Sequence, residues 1–421
     1  MDLDIFSHLE SEVRGYIRSF PVIFERARGS IMTDIDGTDY IDLFAGAGAL
    51  NYGHNNPLMK RALIDYLESD SITHSLDMAT AAKKRFLEAM ESVVLGPRSL
   101  DYKIQFTGPT GTNAVEAALK IARQVTGRSG VVAFTRAFHG LSGDSLATTA
   151  NSKFRKAAGH TLDNVTFVPY DGNLGPDIDT VAYLERLLTD SSSGLDKPAA
   201  VILETVQAEG GVNVASDSWL RALSDLCARE GILLIVDDIQ VGCGRTGEFF
   251  SFEASGIVPD IVTLSKSISG YGLPMSLVLM KRDLDVWEPG AHSGTFRGNN
   301  MAFVAATVAL ESYWRTDELT TEVARKGQLI ADRLDAIAAA NPELQLVSRG
   351  RGLIRGLSST AAPGLAARVA REAFANGVIV ETAGPKDTVL KFLPALTIPD
   401  AELERALDVV QESVEHVLDR V

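Results

Sequence analysis

The chain has 421 residues, of which 45% are hydrophobic, and it carries a formal net charge of −15 at pH 7. This length and apolar content predict a large globular fold with a substantial buried core. The acidic balance argues against nucleic-acid or anionic-membrane partners, because both attract basic proteins. Two cysteines are too few for a disulfide framework and fit a reducing compartment.

The amino terminus carries acidic residues where a secretory signal would need basic residues followed by an apolar core. No run of about twenty apolar residues predicts a membrane-spanning helix. We therefore expect a cytoplasmic protein without a membrane partner. Nothing in the sequence predicts a metal site.

A segment rich in glycine and threonine, Phe106 to Asn113, precedes the helical pattern AVEAALKIAR. Backbone amides and hydroxyls at a helix N-terminus bind anions, helped by the helix dipole. We therefore predict a phosphate site at Thr110, Gly111 and Thr112. The alternative is an ordinary loop in which Thr112 or Asn113 caps the helix.

Phe138, His139 and Gly140 follow an apolar run, Gly130 to Phe134, that is typical of a buried strand. An aromatic ring in this place can stack on a flat ligand ring, although such aromatics more often belong to the core. His139 could be a base, a cofactor neighbour or a structural histidine, and we favour the last two together.

Two further strands are predicted in the middle of the chain. The Ser/Gly-rich stretch Asp190 to Lys197 predicts a surface loop before a strand over Ala199 to Leu203. The run Ile232 to Val236 has the β-branched content of a buried parallel strand and is followed by Asp237. A carboxylate at the end of such a strand points into the ligand crevice of an α/β sheet, unless it binds metal or caps a helix.

Lys266 follows the apolar run Ile261 to Leu264 in the motif LSKSISGYGLP. A lysine amine forms an imine with an aldehyde only when its pKa is lowered by burial or by cationic neighbours. The alternative is a lysine that leaves the strand into solvent. Because pyridoxal phosphate needs an anion such as Asp237 at its ring nitrogen, the two residues together predict a site for this cofactor.

Taken together, these segments resemble the class III aminotransferases of fold type I along nearly the whole chain. The landmarks are YGHNNP, GPTGTNAVEAALKIAR, AFHG, ETVQAEGG, LLIVDDIQVGCGRTG, LSKSISGYGLP, SGTFRGNN and LKFLPALTI. Alternating strand and helix patterns over residues 57–300 predict a large α/β domain with a doubly wound, mostly parallel sheet. The resemblance implies that residues 1–56 and 301–421 form one smaller, discontinuous α+β domain.

The resemblance also assigns roles around the ring of pyridoxal 5'-phosphate. Lys266 would bind its aldehyde, Asp237 its ring nitrogen and Gln240 its ring hydroxyl. Phe138 and Ile239 would cover the two faces of the ring.

At the phosphate, the resemblance implies contacts from Gly111 and Thr112. Thr295 would reach the phosphate bound by the neighbouring subunit. This last role implies a homodimer or a higher homo-oligomer.

Within the family, the closest likeness is to the diaminobutyrate:2-oxoglutarate aminotransferases, which start ectoine synthesis and feed other diaminobutyrate pathways. Four stretches carry this resemblance: YGHNNP, QFTGPTGTNAVEAALK, VDDIQVGCGRTG with SKSISGYGLPM, and GTFRGNN. This implies amino transfer from L-glutamate to L-aspartate 4-semialdehyde, giving L-2,4-diaminobutyrate and 2-oxoglutarate. The alternatives are another ω-aminotransferase acting on ornithine, 4-aminobutyrate or a related amine, an aminomutase, and a noncatalytic binding protein.

Two departures from the family pattern concern the substrate. In related ω-aminotransferases a glutamate in the QxE segment releases a C-terminal arginine when an α-carboxylate arrives. Here Glu209 occupies the acidic position, and the matching basic position carries Lys391, which lacks the planar fork of arginine. We therefore expect a weaker switch between Glu209 and Lys391, with Arg18 as a further carboxylate-binding candidate, or a structural ion pair. The residues from Leu141 to Asp144 replace a pattern close to MTLG, which either alters substrate choice or reshapes a turn.

Overall fold

The computed structural model describes residues 3–418. The strands are β1 (Phe24–Arg28), β2 (Ile31–Asp34), β3 (Asp39–Asp42), β4 (Tyr102–Phe106), β5 (Val131–Phe134), β6 (Val165–Val168), β7 (Ala200–Leu203), β8 (Val206–Gln207), β9 (Asn213–Val214), β10 (Leu233–Asp237), β11 (Ile261–Leu264), β12 (Leu277–Lys281), β13 (Leu346–Arg351), β14 (Ile354–Ser359), β15 (Val378–Ile379), β16 (Glu381–Ala383) and β17 (Val389–Phe392). The helices are α1 (Asp4–Leu9), α2 (Tyr16–Ser19), α3 (Ala45–Gly48), α4 (Pro57–Glu68), α5 (Ala81–Ala89), α6 (Gly111–Thr126), α7 (Gly143–Ala147), α8 (Ser152–Lys156), α9 (Thr180–Thr189), α10 (Asp217–Glu230), α11 (Asn300–Tyr313), α12 (Glu318–Ala340), α13 (Leu365–Ala375) and α14 (Asp400–Leu418).

A seven-stranded sheet with the order β4-β12-β11-β10-β7-β5-β6 forms the centre of the fold. Strand β12 is antiparallel to both of its neighbours, whereas the other paired neighbours are parallel. The predicted mostly parallel sheet is therefore confirmed. Because the six parallel strands end at the same edge, the residues that follow them can meet there.

Both faces of this sheet are buried. Val132, Val201 and Val236 belong to one apolar cluster. Val131 and Ile235, which point to the opposite face, belong to a second cluster that includes the apolar side of α6. Burial on both faces explains why these strands are continuous apolar runs in the sequence.

Most of the local predictions agree with the structure. The four apolar runs correspond to β5, β7, β10 and β11, with ends that differ by no more than one residue. The helix predicted after the glycine and threonine segment is α6, and its N-cap is Thr110 rather than Thr112 or Asn113. Residues 190–197 form the expected connection between α9 and β7.

The two ends of the chain share a sheet outside the central one. Strands β1, β2 and β3 pair in sequence, and β15 completes this sheet, with Val378 opposite Ile41 in parallel register. A second four-stranded sheet has the order β13-β14-β17-β16. This shared sheet supports the discontinuous smaller domain, whose boundaries stay a prediction.

Buried Arg245 joins these parts of the chain. Its Nη1 donates a 2.9 Å hydrogen bond to the Leu353 carbonyl and another to the Pro394 carbonyl, and its Nη2 donates to Asn51 Oδ1 at 2.6 Å. Burial lowers the pKa of Arg245 to about 9. The loop after β10 is therefore tied to residues from both ends of the chain.

None of the helices found between residues 3 and 418 combines the length and the apolar character required to cross a membrane.

Candidate active site

A cavity of about 170 Å³ lies at the carboxyl edge of the central sheet. Its walls come from segments that follow β5, β7, β10 and β11 and from the start of α6. The lining residues are Gly111, Thr112, Phe138, His139, Gly140, Glu204, Asp237, Ile239, Gln240, Val241 and Lys266. The cavity thus brings together eight of the ten residues predicted to bind the cofactor; Thr110 and Thr295 lie outside its wall.

Lys266 enters this cavity from the turn after β11, with a left-handed φ of 52°. Its Nζ donates a 2.8 Å hydrogen bond to the carbonyl of Ala47. That carbonyl belongs to α3, a single left-handed turn in which Ala45 and Ala47 have φ values of 47° and 57°. Burial lowers the pKa of Lys266, and the nearby Lys391 acts in the same direction. The amine therefore has the environment required for an unprotonated nucleophile.

Asp237 is held in a fixed orientation at the end of β10. His139 Nδ1 lies 2.7 Å from Asp237 Oδ2, and Thr263 Oγ1 donates to Oδ1 at 3.0 Å. The backbone amide of Ile239 also donates to Oδ1, at 3.2 Å. His139 therefore contacts the predicted anion directly, and its buried Nε2 has no hydrogen-bond partner among residues 3–418.

The start of α6 forms another part of the cavity wall. A Cβ added to Gly111 would lie 3.0 Å from Ile239 Cδ1, so the backbone approaches the cavity without a side chain. Thr112 Oγ1 is 2.9 Å from Ser142 Oγ and also contacts Ser145 Oγ. Amides and hydroxyls at the beginning of this sixteen-residue helix fit an anion.

Phe138 is the aromatic residue of the cavity wall. Its ring packs edge-on against Phe154, with centroids 5.6 Å apart. Its backbone amide donates a 2.9 Å hydrogen bond to Glu204 Oε1. Glu204 is buried, and burial raises the pKa of its carboxyl well above the ordinary value, with Asp237 acting in the same direction.

Gln240 connects the cavity to a cluster of charged side chains. Its Nε2 donates to the Ala47 carbonyl at 2.8 Å and to Glu209 Oε1 at 3.1 Å. Glu209 Oε1 in turn accepts a 2.6 Å hydrogen bond from Lys391 Nζ. A second carboxylate, Glu381, lies on the other side, with Oε1 2.9 Å from the same ammonium.

The charges in this cluster depend on one another. Burial favours a neutral Glu209, but the ammonium groups of Lys391 and Lys266 hold its pKa below the ordinary value. Burial likewise disfavours the charge on Lys391, yet Glu209 and Glu381 raise its pKa. The Glu209–Lys391 contact predicted from the sequence is therefore present as a charged pair.

Besides Glu209 and Lys391, three further predicted residues lie outside the cavity wall. Arg18, with half of its side chain exposed, pairs with Glu12 and donates to the Glu12 carbonyl at 3.2 Å. Thr110 Oγ1 donates to Asn113 Oδ1 at 2.9 Å. Thr295 is exposed, and its carbonyl lies 2.9 Å from His74 Nε2.

The turn from Leu141 to Asp144 leads into α7. Asp144 forms an ion pair with Arg123 of α6, so its carboxylate has a partner outside the cavity. The adjacent Ser142 contacts Thr112 instead. The unusual sequence thus places a hydroxyl beside Thr112 near the start of α6.

Sequence reasoning missed three contributors to the site. Glu204 follows β7 just as Asp237 ends β10, so the same strand-end argument could have found it. Glu381 lies on a three-residue strand and the Ala47 carbonyl on a left-handed turn, and neither has a local sequence signal.

The family of aminotransferase class-III proteins matches residues 14–414 of this chain. The diaminobutyrate--2-oxoglutarate transaminase of Bordetella parapertussis is 66% identical over 418 residues, covering 99% of this chain and 96% of that protein. The protein of the same name from Wolinella succinogenes is 56% identical over 414 residues, covering 98% and 96%.

Solved structures share the fold. The ornithine aminotransferase of Toxoplasma gondii, described with partial occupancy of pyridoxal phosphate (PLP) at its active site, is 26% identical with a TM-score of 0.86, covering 99% of this chain and 94% of that one. A transaminase from the marine bacterium Virgibacillus has a TM-score of 0.88 at 20% identity, covering 99% of both chains, and supports the fold alone. The predicted α/β fold of type I is thus confirmed, and the chain belongs to the aminotransferase class-III family.

Proposed function

We propose that this aminotransferase moves an amino group from L-glutamate to L-aspartate 4-semialdehyde, giving L-2,4-diaminobutyrate and 2-oxoglutarate. The observation that carries the proposal is the 66% identity over 99% of the chain to a protein named for diaminobutyrate and 2-oxoglutarate. Two of the four stretches that resemble this subfamily, QFTGPTGTNAVEAALK and VDDIQVGCGRTG with SKSISGYGLPM, contribute residues to the cavity wall. We further propose that the reaction takes place in the cytoplasm and serves ectoine or a related diaminobutyrate pathway.

The cofactor of class III aminotransferases is pyridoxal phosphate, and the cavity residues fit it. A fixed carboxylate at Asp237, an amine of lowered pKa at Lys266 and an unpartnered buried nitrogen on His139 line the same small space. At Gly111 the cavity wall is backbone, which a Cβ would fill. Asp237 matches the ring nitrogen, Lys266 matches the aldehyde, and the backbone at Gly111 matches the phosphate.

Each group of the cofactor has a candidate partner. Asp237 would bind the ring nitrogen, Lys266 the aldehyde and Gln240 the ring hydroxyl. Ile239 and Phe138 would contact the two faces of the ring.

When bound, the cofactor supplies an aldehyde for the amine of the substrate and a ring that accepts electrons from the carbon that loses its proton. Lys266 is the only amine among the residues that line the cavity between positions 3 and 418. Its Nζ would take the proton from that carbon of the amino donor and, in the second half-reaction, would place a proton on the corresponding carbon of the acceptor. Asp237 would keep the ring nitrogen protonated, with His139 holding the orientation of the carboxylate. Glu204 and Phe138 would close the wall of the site.

Glu209 and Lys391 would distinguish the two amino donors. Glutamate reacts at a carbon that also carries a carboxylate, whereas diaminobutyrate reacts at a terminal carbon that carries none. Lys391 would bind the α-carboxylate of glutamate after Glu209 has turned away, and the pair would stay closed for diaminobutyrate. Arg18 is a further candidate for carboxylate binding if its contact with Glu12 opens.

We also propose a homodimer in which Thr295 reaches the phosphate bound by the partner subunit. In support, Thr295 is exposed rather than part of the cavity wall of its own chain. The adjacent Phe296 is 67% exposed and packs edge-on against His74. Met78, which follows His74 closely in the sequence, is also exposed. Clustered exposed apolar side chains are typical of a subunit interface.

The test is a panel of amino acceptors assayed with glutamate. Aspartate 4-semialdehyde should give the highest kcat/KM, with 2-oxoglutarate released in equal amount to diaminobutyrate. A preference for glutamate 5-semialdehyde or succinic semialdehyde would replace the proposal with ornithine or 4-aminobutyrate aminotransfer. Amino exchange without release of 2-oxoglutarate would indicate an aminomutase.

A further inference from the structure

Lys391 differs from a simple switch residue because two carboxylates hold its ammonium. Its side chain is fully buried, with Nζ 2.6 Å from Glu209 Oε1 and 2.9 Å from Glu381 Oε1. The side chain of Glu381 is 8% exposed and that of Glu209 is 29% exposed. The cluster therefore contains one accessible and one enclosed anion around the same cation.

The backbone fixes Glu381 but not Glu209. Glu381 of β16 and Lys391 of β17 are direct cross-strand partners, so their side chains lie on the same face of the sheet. Glu209 lies in the loop between β8 and β9. A substrate carboxylate can displace Glu209 by rotating a loop side chain, whereas displacing Glu381 would require a change in the sheet.

The contact between Glu381 and Lys391 is an electrostatic attraction rather than an aligned hydrogen bond. Glu381 Oε1 is buried and makes no aligned hydrogen bond within residues 3–418, although the ammonium is close. The ammonium can consequently direct its protons to Glu209 or to an arriving carboxylate while it stays beside Glu381. When Glu381 is ionised, its negative charge remains next to Lys391 in both situations.

We propose that Glu381 is a positioning residue that acts through Lys391 to weaken the binding of substrate α-carboxylates. This inference rests on the proposed function and deepens that proposal by assigning a specificity role to a residue outside the cavity wall. With Glu209 displaced, Lys391 still has an anionic neighbour that offsets part of its charge. Glutamate and 2-oxoglutarate therefore bind weakly enough to leave, which a site that alternates between two substrates requires.

The same charge has little effect on diaminobutyrate. Its reacting carbon carries no carboxylate, so Lys391 stays paired with Glu209 and Glu381 in that half-reaction. Removing the charge of Glu381 should therefore change one half-reaction and leave the other nearly constant. A merely structural role for Glu381 would affect both.

The test uses the PLP-loaded enzyme and its Glu381→Gln and Glu381→Asp variants. Each is mixed with glutamate or with diaminobutyrate in a single turnover, and the cofactor absorbance gives an apparent Kd and a maximal rate. Glu381→Gln should lower the apparent Kd for glutamate by about tenfold, because a neighbouring negative charge has been removed. The diaminobutyrate values should stay within about twofold, and Glu381→Asp, which restores the charge, should return the glutamate Kd toward wild type.

Calorimetric titration with glutarate, an unreactive dicarboxylate, provides a readout without turnover and should show the same tighter binding in Glu381→Gln. Glu343→Gln removes an exposed carboxylate and serves as the matched control. Equal changes in both half-reactions, or an unchanged glutarate Kd, would overturn the inference. Absence of diaminobutyrate turnover in the unmodified enzyme would instead overturn the proposed function.

Discussion

Lys266 has the features that its proposed chemistry requires: it is partly buried, its pKa is lowered, and a backbone carbonyl fixes its amine. The adjacent carboxylate of Asp237 is held by three donors, so it cannot turn away from the cavity. The proposed reactivity therefore depends on the placement of two side chains at the ends of neighbouring strands, β11 and β10.

Lys266→Ala should lower the rate of glutamate turnover by at least about a hundredfold, because both cofactor attachment and proton transfer are lost. Gel filtration followed by the absorbance spectrum should show that the variant loses its cofactor more readily. Borohydride treatment of the unmodified protein should leave the cofactor covalently bound to the peptide that contains Lys266. The exposed Lys84→Ala variant is the control, and equal turnover in both variants would contradict the assignment.

The raised pKa of Glu381 predicts that the apparent Kd for glutamate depends on pH. Burial raises its pKa to about 7, and Glu209 adds to this effect, whereas Lys391 and Lys266 oppose it. The helix α13, which packs against β16, contributes the charged residues Arg368, Arg371 and Glu372; Glu372 is paired with His416.

The direction follows from the charge of the protonated form. Below about pH 7 a neutral Glu381 does not offset the positive charge of Lys391, and above it the ionised carboxylate offsets part of that charge. The apparent Kd for glutamate should therefore rise with pH across this range, and the rise should be absent in Glu381→Gln. A rise of the same size in the variant would assign the dependence to another group.

At the scale of elements, the proposed phosphate site depends on how closely α6 and the turn after β5 approach each other. Gly140 has a φ of 132°, and a Cβ there would lie 2.6 Å from both Thr112 Oγ1 and Ser145 Oγ. A side chain at this position would therefore separate the turn from the start of the helix.

Gly140→Ala should weaken PLP binding by at least about tenfold, because backbone strain of about 1–3 kcal/mol and a steric clash both act on the anion site. Fluorescence titration with PLP measures the effect. Gly175→Ala is the control, since Gly175 also has a positive φ, 107°, but a Cβ there would meet nothing within 4 Å. PLP affinity that falls equally in both variants would point to general strain rather than to the site.

The elements were largely predictable because β5, β7, β10 and β11 are buried on both faces, so each of them is a continuous apolar run in the sequence. Asp237 and Lys266 could be predicted because a strand-end position implies a location at the ligand edge of the sheet. Glu381 could not be predicted, since its role depends on the register between β16 and β17. The contact made by the Ala47 carbonyl could not be predicted either, because a backbone group on a left-handed turn leaves no signature in residue type.

At the scale of the whole molecule, the proposed dimer can be tested through Phe296. Phe296→Glu places a charge on the exposed apolar surface beside Thr295 and should lower the mass in light scattering toward that of a monomer. Activity and PLP retention should fall with it if Thr295 completes the partner's phosphate site. Val258→Glu, at another exposed apolar residue, is the control and should leave the mass unchanged; a dimeric Phe296→Glu variant would contradict the proposed interface.

The sheet that joins β3 to β15 has a consequence for biosynthesis. On the side of β3 that faces away from β2, the backbone amide of Ile41 donates its hydrogen bond to the carbonyl of Gly377, more than three hundred residues later in translation. At about 5–20 residues per second, a ribosome needs on the order of tens of seconds to deliver that segment. During this interval the nascent amino-terminal strands present an unpaired edge, so chaperone shielding of the first fifty or so residues should influence how much native enzyme a cell obtains.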